Sequence, residues 1–597
     1  MNAKLLLFVP VLFSLGACAH ISPAPAQAKA EVPTAPQQVK AAEPAAKAPG
    51  VPAEKTAVGA PKKEAAPAES ALTGQVLYQF LLGEIAGQRG DLKLSAEAYA
   101  DLAHKTRDVR VVRRAAEIAI YAHDMAKAVD MARLWVELEP KSAQARRLLV
   151  SALVSEGHLD EAKPQLDALL QMEGASTGET FLQLHALLGG SQDKTAVLAL
   201  VQSLAAKYPK VPEAHLAVVQ EAIEAGQRDL ALNELGEVLR LTPGSETAAL
   251  IKGQILSSQD EAAALAFWKA FLAQYPDADH VRLAYARELT KAGRFDEARG
   301  EFETLTKKVP ESPELHLAIG LLSMQMQDLD TAEQNFSKAL ALGYPDDGLV
   351  KMYLGEVNEI RQRYEVALGW YRKVTSGSHV LQAQLKAAIV LGKMKRVDEA
   401  LAQLDQMKVD DDAGKVRIAQ AGAQILREAG RYQEAIDRLS KALAVSPGAG
   451  DLLYDRAMLE EKVDKLPEME ADLRQLIKLQ PDSAHAYNAL GYTLVDRTNR
   501  IEEGLALLDK ALKLSPNDPF ILDSMGWGQY KAGHLAEAVD YLRRAYSGRA
   551  DPEIAAHLGE VLWQQGKQDE AKRIWHEAAK AHPDNELLQK TLSRFGQ

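Results

Sequence analysis

The sequence predicts an all-α fold, a solenoid of stacked helix pairs, and three observations carry that prediction. A Gly-x-x-x-Glu-Ala string recurs through the chain, the recurrence has a near-constant period, and prolines fall at one phase of that period. The string stands as Gly293-Arg-Phe-Asp-Glu-Ala298, Gly430-Arg-Tyr-Gln-Glu-Ala435, Gly533-His-Leu-Ala-Glu-Ala538 and Gly566-Lys-Gln-Asp-Glu-Ala571, each followed four residues later by Phe, Leu or Trp. Glycine closes one helix and lets the chain turn, and the acid opens the next helix at its positive end. The small alanine admits a second helix backbone at close range, and the later proline ends the pair.

Aligning the alanines places repeat starts near Val76, Val109, Ala143, Gly178, Pro212, Ser245, Asp279, Pro313, Gly348, Leu381, Val416, Gly450, Ala484, Pro519 and Pro552. The fourteen intervals run from 33 to 35 residues and average 34, a helix-turn-helix period. Pro140, Pro209, Pro243, Pro276, Pro310, Pro447, Pro481, Pro516 and Pro583 lie at or beside the terminal position of the repeat. This pattern resembles the tetratricopeptide repeat (TPR), and the resemblance implies a right-handed TPR solenoid. About fifteen repeats then fill residues 76–584, and residues 585–597 form a helix that caps the open end. Gly189-Gly190-Ser191, Thr375-Ser-Gly-Ser-His379 and Lys465-Leu-Pro467 interrupt the pattern and mark places where the stacking changes. Pro164 reads as a first-turn residue, where a missing N–H costs little.

Composition is consistent with such an array: apolar residues make up 47%, charged 25% and aromatic only 6%. The net charge of -12, from 82 acidic and 70 basic residues, provides no electrostatic footprint for nucleic acid or for anionic lipid.

Residues 1–17 read as an export signal, with Lys4 before an apolar run from Leu5 to Leu15 that is too short to span a bilayer. Leu15-Gly16-Ala17-Cys18 resembles the lipobox of bacterial lipoproteins, and Cys18 is the sole cysteine. The resemblance implies acylation of Cys18, and Ala19 in place of Asp implies the outer membrane, facing the periplasm. Ala17-Cys18-Ala19 also fits a small-residue cleavage site that would release a soluble protein. Residues 18–75 are Ala, Pro, Lys and Glu with almost no large apolar side chain, a composition that cannot offset its ordering entropy and reads as a disordered tether.

No catalytic constellation emerges. His576-Glu577 is followed by His582 rather than by a histidine three residues after the acid, no phosphate-binding loop is present, and one cysteine supports neither a thiolate site nor cysteine-ligated zinc. The chain therefore reads as no enzyme, with no metal and no cofactor. Asp410-Asp411-Asp412 beside Gly414 reads as a solvated acidic loop, with a cation site the alternative. The fourteen histidines are scattered and default to structural or surface roles. The run from Lys105 to Arg114 offers either a docking face for an acidic partner or the solvated side of one amphipathic helix that buries Val111, Val112 and Ala115. In a TPR the second, fifth, ninth and twelfth residues of the first helix face the concave surface. Tyr492, Phe520, Trp527, Tyr530 and Trp563 fall in that set and form a candidate partner-binding groove; wedging of some, Trp527 among them, between repeats is the alternative.

Longer strings carry a narrower resemblance. They are Leu77-Tyr-Gln-Phe-Leu-Leu-Gly-Glu-Ile-Ala-Gly-Gln-Arg-Gly90, Lys105-Thr-Arg-Asp108, Arg133-Leu-Trp-Val-Glu-Leu138, Tyr487-Asn-Ala-Leu-Gly-Tyr-Thr-Leu-Val-Asp-Arg497, Ile521-Leu-Asp-Ser-Met-Gly-Trp527 and Asp551-Pro-Glu-Ile-Ala-Ala-His-Leu-Gly-Glu560. Together they resemble a family of proteobacterial outer-membrane TPR lipoproteins whose type member is the binding partner of a periplasmic carboxyl-terminal-processing protease. That resemblance implies an adaptor that binds the serine protease and brings it substrates such as peptidoglycan hydrolases. A scaffold for an envelope assembly or polysaccharide-export machine would use the same solenoid.

Overall fold

The computed structural model describes residues 73–172 and 177–596. The expected signal segment, Cys18 and the tether through Leu72 lie outside the described residues. Between Gly74 and Arg594 the described chain is thirty-one helices without a strand, fifteen pairs followed by the single helix Glu586–Arg594. They fall into two compact units, Met1–Lys308 and Val309–Gln597. Seven pairs build the described part of the first and eight pairs, with the last helix, build the second. None of the described helices is long and apolar enough to cross a membrane.

Local chemistry sets the pair boundaries. Several first helices open on a capping side chain: Ser142, Ser245, Ser312, Asp346 and Asp551 each accept a backbone N–H of the first turn. Most turns to the second helix use a left-handed residue. Gly157, Gly226, Gly293, Gly430, Gly533 and Gly566 supply it with φ between 71° and 87°. His123, Gln327, Gln362, Lys395 and Asp464 adopt the same region with φ between 55° and 64°, so the turn is imposed there against side-chain sterics.

Packing within a pair depends on the eighth residue of the first helix. At Gly559 a Cβ would lie 2.0 Å from Trp575 Nε1, and at Gly320 it would lie 2.6 Å from Phe336 Cε1. The aromatic four residues after the recurring alanine thus occupies the volume a side chain would need; Ala571, Trp575, Ala332 and Phe336 are all buried. A third device links pair to pair. The fourth residue of a first helix reaches back six positions to the carbonyl of the repeat-terminal proline. Arg282 Nη2 donates to Pro276 at 2.8 Å, His316 Nε2 to Pro310 at 3.1 Å and Gln589 Nε2 to Pro583 at 3.0 Å. His215 does the same to Pro209 at 3.2 Å while its Nδ1 meets Glu234 at 2.6 Å. Proline at this phase therefore both ends a helix and presents a carbonyl that no helix bond claims.

Four local expectations are corrected. The helix holding Pro164 starts at Leu159, so the proline is its sixth residue and lies past the first turn; the helix nonetheless runs on to Met172. Pro467 sits at the second position of Leu466–Leu479 and starts that helix rather than interrupting it. The tether's last residues are helical, because Thr73 caps Gly74–Gln88 by accepting from the Val76 N–H at 3.3 Å. Asp412 and Gly414 belong to the seventeen-residue helix Asp412–Glu428, which begins four residues before Val416. Asp411 caps it, accepting from the Gly414 N–H at 2.7 Å, and Lys415 pairs with Asp412 at 2.9 Å. Carboxylates at a helix N-terminus are stabilised by the exposed N–H groups there, which is why this acidic run starts a helix.

Candidate protein-binding surface

The sequence-derived aromatic set lies on three successive first helices, Ala484–Arg497, Pro519–Lys531 and Pro552–Gln564, which pack side by side, with Glu586–Arg594 against the last. Trp527 is at their centre, 8% exposed. Its Nε1 donates to Asp496 Oδ1 at 2.9 Å and one ring face is stacked on His557 with centroids 4.2 Å apart. Lys531 Nζ lies 5.3 Å from the ring centroid and 3.1 Å from Asp496. Trp527 is thus a wedge between repeats and not an open groove side chain, because its donor and its faces are already taken by the adjoining helices.

The neighbours divide. Tyr492 and Tyr530 are half-buried; the first is 6.4 Å from His557 and the second 5.0 Å from Trp527, centroid to centroid. Tyr530 donates its hydroxyl to Glu560 Oε1 at 3.3 Å, and Arg594 holds the other oxygen of Glu560. Trp563 lies between Trp575 and Phe595, at 5.8 and 5.4 Å, and serves the terminal cap. Phe520 is 44% exposed with the Arg549 guanidinium 5.1 Å from its ring. Of the five aromatics, Phe520 offers the most accessible face.

Buried charge organises the same surface. His557 Nδ1 is 3.0 Å from both oxygens of Asp523, and both residues are buried. Burial disfavours the imidazolium, but Asp523, with Asp496 and Glu560 behind it, more than offsets that and holds the pKa above the usual histidine value. For Asp496 burial pushes the pKa up, and the hydrogen bonds from Trp527 and Lys531 outweigh it, leaving the carboxyl below its ordinary range. Burial pushes the Tyr492 hydroxyl up. The arrangement is an alternating set of acids and bases that pins three helices in one register. It has the geometry of a rigid platform.

Comparison with known proteins fixes the family. The chain is 35% identical over 485 residues to the TPR repeat-containing protein PA4667 of Pseudomonas aeruginosa, covering 81% of this chain and 82% of that one. This chain belongs to the tetratricopeptide-repeat family. Tetratricopeptide-repeat models match residues 256–322, 317–378, 421–468, 470–519 and 524–586. Cellulose synthase operon protein C of Pseudomonas fluorescens is 26% identical over 413 residues, which cover 57% of this chain and 31% of that protein. Among solved structures, a tetratricopeptide repeat protein from Parabacteroides merdae aligns with 47% of this chain at 14% identity and a TM-score of 0.33.

Elsewhere in the TPR array the basic run is compensated. Arg107 pairs with Glu137 at 2.6 Å, Arg110 with Asp108 at 2.6 Å and Arg113 with Glu117 at 3.0 Å, while Val112 and Ala115 are buried and Val111 is half-buried. These contacts make it the solvated side of an amphipathic helix. Sequence reasoning missed a second buried cluster, in which Arg456 forks onto Asp472 at 2.6 and 2.7 Å and onto Ser440 at 2.9 Å. Glu460, one turn along, is buried with Oε2 unbonded. Burial, then the charge on Asp472, pushes its pKa up to about 7 against the pull of Arg456. The only signal in the sequence is an Arg and a Glu four apart, which is common on any helix.

Proposed function

We propose that this chain is a non-catalytic envelope adaptor, lipid-anchored at the outer membrane through Cys18, that binds a periplasmic carboxyl-terminal-processing protease and presents substrates such as peptidoglycan hydrolases to it. The observation that carries the adaptor reading is that each unit is a succession of short helices packed on their neighbours, almost all of them in pairs, an architecture that presents helix faces to a partner. Similarity to a TPR repeat-containing protein over four fifths of the chain supports it, as do the resemblance strings around Leu77, Tyr487 and Asp551. Phe520, with the accessible edges of Tyr492 and Tyr530, is the aromatic contact surface we assign to a partner.

The test is a photocrosslinking residue at position 520 in cells carrying the full-length protein. Recovery of a serine protease with its substrates supports the reading, and hydrolase levels should rise when the gene is deleted. Recovery of no protease together with unchanged hydrolases would sink it. Cys18→Ser should abolish acyl labelling and membrane fractionation. A second reading, a scaffold in polysaccharide export, is favoured by the similarity to cellulose synthase operon protein C; it requires polymer export to fail on deletion while hydrolases stay constant.

A further inference from the structure

The first and last described helices finish the array differently. Glu586–Arg594 buries Leu588 and Leu592 and turns Glu586, Gln589, Lys590 and Ser593 outward, the polar outer face that a terminal helix needs. Gly74–Gln88 packs on Leu92–Thr106 through Gly83 and Ala86, its two buried residues. Gly83 admits Tyr99, whose Cδ2 would lie 2.6 Å from a Cβ there, and its carbonyl accepts from Ser95 at 2.7 Å. On the opposite side of the helix, Leu77, Leu81 and Ile85 recur every four residues and are 43%, 46% and 47% exposed, with Tyr78 beside them at 64%. Phe80 meets Tyr99 edge to face with one side of its ring and leaves the other exposed. The one charged residue of the helix, Glu84, is engaged by the Tyr99 hydroxyl. A helix that is apolar all round is stable in water only when something covers it all round.

The preceding stretch of chain offers little to cover it with. From Ala19 to Ala71 the sequence holds no Leu, Phe, Met, Tyr or Trp, and its larger aliphatics are Ile21, Val32, Val39, Val51 and Val58. The stripe, in contrast, is complementary to itself. Residue 81 is the midpoint of Gly74–Gln88, and at about 1.5 Å per residue Leu77 and Ile85 lie about 6 Å to either side of it. In an antiparallel pair of such helices related by a two-fold axis, Leu81 faces Leu81 and each Leu77 faces an Ile85. No charged side chain enters that seam. The four stripe residues and Phe80 leave open roughly 500 Å² per copy, so a pair buries about 1,000 Å², the lower bound of a specific interface.

We propose that the outer face of Gly74–Gln88 is a homodimer interface, in which the same helix of a second copy lies antiparallel across Leu77, Tyr78, Leu81 and Ile85. The second copy supplies the apolar cover that the sequence before the helix lacks. The seam uses none of the residues assigned to a partner around Phe520, so it stands or falls apart from the adaptor reading.

The experiment places single cysteines on the stripe of the full-length protein in intact cells, with copper–phenanthroline as oxidant and the parent, which has Cys18 alone, as background. Leu81→Cys should give a disulfide-linked species of twice the chain's mass, because position 81 faces itself. Leu77→Cys and Ile85→Cys should each give about fivefold less, since each is displaced about 12 Å from its own copy and a disulfide needs Cα atoms within about 7 Å. Co-expressed, those two variants should crosslink to each other. For the purified full-length protein in detergent, Leu81→Glu should raise the dissociation constant about tenfold or more by setting two carboxylates across the axis, with unchanged helical content, and Leu81→Met should leave it near the parent's. Should Leu81→Glu fail to fold, the crosslinking pattern decides alone. No crosslink at position 81, equal crosslinking at 77, 81 and 85, or a crosslink to a different protein overturns the homodimer and leaves the adaptor reading to its own test at position 520.

Discussion

The pair Thr177–Leu188 and Lys194–Ala205 and the pair Pro552–Gln564 and Gln568–Ala581 are built from the same period and pack in opposite ways. In the later pair, glycine at the eighth position lets Trp575 of the second helix lie against the first helix's backbone. In the earlier pair Leu184 stands at the eighth position, fully buried, and the two helix backbones do not come close; each packs instead against Pro212–Glu224. Gly189-Gly190 takes up the altered path, with Gly190 close enough that a Cβ would be 3.0 Å from Ser155 Oγ. The comparison teaches that the repeat length is held by turns and caps, whereas the spacing of two helices is set by one residue's volume.

The largest effect that would test this comparison is expected at the C-terminal platform. Trp527→Ala removes a buried ring that covers His557 and bonds Asp496, and should cost about 4 kcal/mol, read as lost hydrogen-exchange protection confined to residues 484–564. Retained protection would mean that Trp527 is not the wedge described here. For the same reason this substitution is a poor probe of partner binding, and Phe520→Ala is the better one.

Leu184→Ala should cost about 3 kcal/mol by leaving a cavity, and Gly559→Ala about 2 kcal/mol by overlap with Trp575, both measured by urea unfolding. One register then resists opposite changes of volume. A neutral Leu184→Ala would show that the earlier pair is loose rather than differently packed.

A smaller, pH-dependent effect belongs to Glu460. Its folded pKa of about 7 lies above the unfolded value, so the stability it contributes is complete below the unfolded pKa and is lost as pH rises through 7. Glu460→Gln should therefore stabilise the protein by about 1 to 2 kcal/mol at pH 8 and by little at pH 5; the reverse trend in melting temperature would contradict the burial described. The smallest change is at the turns. Gln327→Gly should stabilise by about 0.5 kcal/mol, because Gln327 holds a φ of 61° that glycine adopts freely.

The sequence by itself determined the all-α class, the helix-pair period and the kind of residue at each turn, because helix ends, left-handed turns and terminal prolines obey rules reaching only a few residues along the chain. It also marked the aromatic cluster near the C-terminus and the irregularity at Gly189-Gly190. Only the tertiary structure decided which aromatic is buried, since Trp527 and Phe520 sit in equally permissive local sequence and differ in what the neighbouring helices place beside them: Asp496, His557 and Lys531 around one, open surface and Arg549 around the other. It likewise decided that Glu460 is buried beside Asp472, with its pKa pushed up. Those outcomes depend on partners about thirty residues away or on the competition between burial and charge, and neither is written in a local pattern.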